Sequence, residues 1–182
     1  MQLDVIIAGT LRTATALLFA AGLVHKLWDI GEFRRTVGAY LRGPGIDTAG
    51  LRSTIAGLVV VLEATVVVAC LFAGNHPLAA ALASGTLLLY AGAMGVNLIK
   101  GNTLLDCGCS WGSARQPVSS ALVARNVLLA VVVLGMTLPT ADRTLTAIDV
   151  ASVALATLAL ALLYVASNHM LTFTGPARST HG

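Results

Sequence analysis

The sequence predicts an all-α fold, a multi-pass bundle of transmembrane helices with four core spans and a fifth. Two observations carry that expectation. Of 182 residues, 57% are hydrophobic and only 10% charged, with a mean hydropathy of +0.86, far too apolar for a domain whose surface faces water. The apolar residues also fall into blocks of roughly 18 to 25, the length a helix needs to cross a hydrocarbon core at 1.5 Å per residue. One membrane domain over residues 1–182 follows. Its partner is the lipid bilayer. The net charge of +3 comes from scattered loop bases without a dense basic run, which suits lipid headgroups and gives no case for nucleic acid.

The first span is expected over about 5–27, since Met1-Gln2-Leu3-Asp4 has neither a basic leader nor a small-residue cleavage site. It ends at His25-Lys26-Leu27-Trp28, where a Lys can snorkel and a Trp can sit at the interface. Glu32-Phe33-Arg34-Arg35, with Val37 and Tyr40-Leu41, is spaced for a short amphipathic surface helix or a solvated loop, and Gly43-Pro44-Gly45 follows as a turn. The second span covers about 53–72. Ala73-Gly74-Asn75-His76-Pro77 makes a tight turn into the third, about 78–99, where Gly85, Ala91, Gly92 and Gly95 offer small surfaces for close helix packing. A cysteine loop occupies 100–117; spans four and five are expected over about 119–138 and 146–167.

Chemistry is concentrated in that loop. In Asp106-Cys107-Gly108-Cys109 two of the three cysteines stand one residue apart, and the glycine between them permits the bend a small disulfide ring requires. Such a ring is strained and readily reduced, so the pair reads as exchangeable thiols. Two other readings stand beside it: small hydrophobes in an ordinary loop, or half of a metal site that would need further ligands, with His25 the nearby candidate. Cys70, near the opposite end of its span, reads as a packed hydrophobe.

Polar residues inside lipid are expensive and mark candidate sites. Glu63 lies near the middle of span two and must be protonated or paired with a base such as Arg125. Asn97, Arg125, Asn126 and Lys26 all fall toward the membrane face that carries the cysteine loop, because odd spans end and even spans begin on one side. A cationic neighbour such as Lys26 or Arg125 would favour the thiolate, the species that attacks disulfides. Asn97 and Asn126 can equally serve as interhelical hydrogen-bond glue.

His25-Lys26-Leu27-Trp28-Asp29, Glu32-Phe33, Tyr40-Leu41, Glu63, Asn97-Leu98-Ile99-Lys100-Gly101, Asp106-Cys107-Gly108-Cys109 and Arg125-Asn126 together resemble the methylamine utilisation protein MauE family, within the wider group of DoxX-like redox-associated membrane proteins. The likeness covers about 16–133. One departure is the loop: the family usually reads Cys-Gly-Cys-Phe-Gly, whereas Ser110-Trp111-Gly112 follows Cys109 here. The resemblance implies a helper in oxidative maturation of exported proteins, like the family's role toward the methylamine dehydrogenase small subunit. It also implies a thioredoxin-fold partner and an exported, disulfide-containing client. Cys107 and Cys109 would then be the catalytic pair of a thiol-disulfide oxidoreductase. The alternative is a non-enzymatic membrane assembly or scaffold protein whose Cys-Gly-Cys loop is structural or binds metal.

The plan is also similar to that of quinone-linked disulfide-generating membrane enzymes, and by that fold analogy alone a quinone enters as a candidate cofactor. Charge and family disagree on the face of the loop. Lys26, Arg34, Arg35, Arg42, Arg52, Lys100, Arg115 and Arg178 share its side against Arg143 on the other, which points to the cytoplasm. Disulfide chemistry belongs in an oxidising compartment, and the expectation adopted is the extracytoplasmic face of the plasma membrane.

Overall fold

A computed structural model describes residues 2–41, 48–72, 77–102, 118–141 and 143–173, the side chains of 171–173 excepted. Among them are six α-helices: α1 (Val5–Trp28), α2 (Ile30–Tyr40), α3 (Ala49–Phe72), α4 (Pro77–Ile99), α5 (Ser120–Leu134) and α6 (Ala147–Phe173). A 3₁₀ turn, Gly135–Thr137, extends α5. All except α2 are long and apolar enough to cross a membrane, which makes five spans. The chain is a multi-pass helical membrane protein.

Local chemistry sets the helix ends. Asp4 caps α1 through a 2.8 Å bond to the Ile6 amide, and Asp29 ends α1 and caps α2 through the Glu32 amide. Thr146 and Asp149 cap α6 reciprocally, each side chain accepting from the other's backbone N–H at 3.3 and 2.8 Å. At the end of α4, Gly101 takes φ +76°, the left-handed conformation that glycine adopts without a Cβ clash. Its amide donates to the Leu98 carbonyl and that of Asn102 to the Asn97 carbonyl, a Schellman stop. The Asn97-Leu98-Ile99-Lys100-Gly101 stretch is thus a helix terminus, whatever else it does.

Helix α1 is the hub. It packs against α3 and α6, while α4 pairs most extensively with α5 and α3 touches α4. The main core is built from Phe19, Val66, Leu87 and Met136 with small residues, Ala79, Ala80 and Ala83, between them. In lipid the hydrophobic effect does not drive helices together, so close contact between small residues and interhelical hydrogen bonds must do so. Ser84 Oγ donates to the Ala130 carbonyl across α4 and α5 at 3.1 Å, and Thr13 and Thr157 share a hydrogen bond of 2.6 Å between α1 and α6. Outward Leu, Val and Ile, among them Leu58, Val61, Leu89, Val131 and Leu162, form the lipid-facing surface.

Three expectations change. Gly85, Gly92 and Gly95 are not the packing surface: a Cβ at any of them would meet nothing within 4 Å, and the alanines of α4 make the close approach. Helix α3 begins a turn earlier than Ser53, where Thr48 caps it through the Leu51 amide. The last span continues beyond Ser167, to Phe173. The amphipathic stretch after α1 is a helix, α2, packed on α3 with Gly38 against the Arg52 side chain. Cys70 is fully buried in the core, as expected of a packed hydrophobe.

Candidate functional site

Side chains on an α-helix lean toward its N-terminus. Lys26, near the end of α1, therefore reaches back along its own helix into the bundle. Its Nζ lies 2.7 Å from Glu63 Oε1 of α3, with only 4% and 3% of the two side chains exposed. Gly22 lies beside the pair: a Cβ there would stand 3.4 Å from Lys26 Nζ and 3.6 Å from Glu63 Oε1, ordinary contact. Tyr90 of α4 donates its hydroxyl to the same Glu63 oxygen at 2.6 Å. The Phe33 ring of α2 lies 5.5 Å from Nζ, and that of Tyr90 5.6 Å, so the ammonium is flanked by two aromatic rings.

This corrects two expectations. Lys26 does not snorkel to the interface, and the base that pairs with Glu63 is Lys26, not Arg125. Glu63 lies about 14 Å along α3 from the Phe72 end, too deep for solvent, and a buried carboxylate is retained only with a close counter-charge and further donors. Lys26 and Tyr90 supply both.

Arg125 of α5 turns toward α6 instead. Its Nη1 donates to Asn168 Oδ1, and its guanidinium stands 5.0 Å from the centre of the Tyr164 ring. Among the described residues no carboxylate pairs with it, and its Nε is buried without a partner. Asn126 is buried and donates to the Leu122 carbonyl one turn back; Asn97 donates likewise to Ala93 and accepts from Asn102 at 3.3 Å. These two amides are first of all local hydrogen-bond groups. Cys107 and Cys109 lie outside the described residues, between α4 and α5 in sequence.

Lys26, Glu63, Tyr90, Arg125, Asn126 and Asn168 line one cavity of about 410 Å³. Its remaining wall is mostly apolar: Leu11, Leu18 and Phe19 from α1, Leu129 and Val133 from α5, Leu160 and Val165 from α6. The cavity therefore has a polar end and an apolar shaft. Asn97 is not among its lining residues, so four of the expected supporting residues meet there and the fifth does not. Among the described residues no cluster of His, Cys, Asp or Glu could hold a metal ion.

Tyr90, Phe33, Gly22, Tyr164 and Asn168 were not read as site residues. A tyrosine within a span was an available signal. Asn168 was hidden because the last span was expected to stop one residue before it.

A second polar cluster closes the opposite end. Arg143 makes two bonds to Asp149, at 2.8 and 2.7 Å, and approaches Asp4 at 3.7 Å. The Asp149 carboxylate, bonded to it, holds the Arg143 pKa above its ordinary value. Leu3 pairs with Thr140 in an isolated parallel bridge, so the chain start is tied to the loop before α6.

Comparison with known proteins matches residues 4–139 to the family described as methylamine utilisation protein MauE. A MauE of Paracoccus denitrificans is 36% identical over 69% of this chain and 66% of its own length, so the match spans just under two thirds of that relative. A MauE of Methylophilus methylotrophus is 34% identical over 87% of this chain and 82% of its own. The MauE of Paracoccus versutus is 32% identical over 87% of this chain and 83% of its own. No solved structure matches the chain.

Proposed function

The chain belongs to the methylamine utilisation protein MauE family, and from that premise we propose that it is a membrane thiol-disulfide redox or maturation factor for exported proteins, serving methylamine utilisation. The observation that carries the reading is the Asp106-Cys107-Gly108-Cys109 sequence. Its loop joins two helices whose bundle holds a charged, hydrogen-bonded cluster in an otherwise apolar interior. Vicinal thiols separated by glycine form a strained, exchangeable disulfide. In each exchange one thiolate attacks a sulfur of the partner's disulfide and forms a mixed disulfide. The second cysteine then displaces the partner's remaining thiolate, so the partner gains two electrons and this pair loses them; the reverse direction uses the same steps.

The partner in this reading is a thioredoxin-fold protein and the client an exported, disulfide-containing protein such as the methylamine dehydrogenase small subunit. The loop faces the extracytoplasmic side of the plasma membrane, where disulfides persist. Of the Cys107→Ala and Cys109→Ala variants, the one that keeps the attacking cysteine should trap a mixed disulfide with the partner, detected as a reducible adduct on denaturing gels. Absence of any adduct from either variant, with stoichiometric zinc or copper on the purified protein, would sink the redox reading in favour of a metal-binding scaffold. The face is tested in a Cys70→Ala background. A membrane-impermeant maleimide should label the reduced loop in intact cells; labelling only after lysis would place the loop inside and exclude direct maturation of exported proteins.

A further inference from the structure

The 410 Å³ cavity lies between α1, α4, α5 and α6, with Glu63 of α3 at its polar end, and the backbones of α5 and α6 stay apart, bridged by the Arg125 side chain to Asn168 and Tyr164. A ligand dissolved in the bilayer can enter along that seam. Inside, Glu63 Oε2 is an acceptor and Arg125 Nε a donor, both buried and both without a partner among the described residues. A buried polar atom left unpaired is costly, so the two define what the head of an occupant must do. It must donate to one and accept from the other, and it must trail an apolar tail down the shaft of Leu11, Leu129 and Leu160. An ionised fatty acid or a phosphodiester head only accepts, so it would answer Arg125 and leave Glu63 Oε2 without a donor. A hydroquinone satisfies both atoms without charge, its hydroxyl donating to Glu63 while the opposite oxygen accepts from Arg125; the quinone form still accepts from Arg125.

We propose that this cavity is a binding site for a lipid-soluble quinone and its quinol. The proposal deepens the redox reading by naming an oxidant, and it rests on that reading for the thiol exchange alone, run in the direction that oxidises the partner's thiols. In that direction two thiols release two electrons and two protons as one S–S bond forms. The quinone takes up both electrons and two protons as its carbonyl oxygens become hydroxyls. Glu63, already bonded to Tyr90 and Lys26, stands where a proton-accepting group is wanted beside the quinol.

The test uses the full chain in lipid nanodiscs with both loop cysteines changed to serine, so that binding is read apart from thiol exchange. A photoreactive azidoquinone with a decyl tail should label peptides of α1, α5 or α6. Decylubiquinone should displace it and palmitate should not. Labelling should fall at least tenfold in Arg125→Gln, which removes the Nε donor, and in Leu129→Trp, which fills the shaft. Should Arg125→Gln fail to fold, Leu129→Trp carries the comparison, because it adds bulk to a cavity instead of removing a buried partner. Label that decylubiquinone does not displace, label displaced equally by palmitate, or full labelling in the folded variants overturns the proposal. Quinone binding with no mixed disulfide in the cysteine variants would leave the site standing and remove the thiol function.

Discussion

Lys26 and Glu63 hold each other inside the bundle with 4% and 3% of their side chains exposed, whereas Arg143 meets Asp149 and Asp4 at the opposite end with 39% of its side chain open. Both clusters join segments distant in sequence, and in the first all the bonds fall on one Glu63 oxygen. They differ in what surrounds them. At the Arg143 end Asp149 is only 7% exposed, but Arg143 and Asp4 stand 39% and 50% open, so water and salt reach the arginine, and the cluster orders the junction between Leu3 and the loop before α6 without deciding whether the bundle forms. Around Glu63 nothing replaces a missing partner. The charge must then be neutralised by a proton or remain uncompensated in a low dielectric.

The largest predicted effect follows from removing one member of the buried pair. Lys26→Met should destabilise the protein by about 3 to 5 kcal/mol, read as loss of folded protein in detergent or lipid. Adding Glu63→Gln to it should recover a large part of that loss. Strict additivity of the two changes would show that the ion pair contributes nothing and erase the contrast between the clusters. Next in size is Tyr90→Phe, which deletes one bond to a charged oxygen and should lower stability by about 1.5 to 3 kcal/mol. Thermal unfolding checks it; a change indistinguishable from zero would mean that Lys26 alone satisfies Glu63. The smallest effect is expected from Arg143→Gln. Its melting temperature should fall only slightly below wild type at low ionic strength, and the difference should vanish in molar salt. Persistence of a large deficit at high salt would show that the exposed cluster is structural after all.

Much of this architecture could be read from the residues. Five spans followed from the length of the apolar blocks, and Glu63 stood out because a carboxylate is rare in such a block. Its partner could not be read, since Lys26 and Arg125 approach from the same end and the choice turns on helix rotation, which a linear pattern does not record. The glycines of α4 misled for the same reason: small size permits contact, but only the rotation of the helix decides which small residues meet a neighbour. Asn168 escaped because span ends are poorly marked where apolar residues continue into a polar tail. The Cys107 and Cys109 pair rests on sequence and family resemblance.

The separation of Lys26 and Glu63 by 37 positions also bears on how the protein is assembled. Helix α1, made before α3, carries its lysine close to its trailing end, where the flexible stem can hold the ammonium among lipid headgroups while the Glu63 counter-charge does not yet exist. The glutamate arrives only with α3, and it is poorly tolerated in the bilayer until it finds that lysine. Insertion of α3 is thus expected to be coupled to recognition of α1, with α6, made after both, packed on α1.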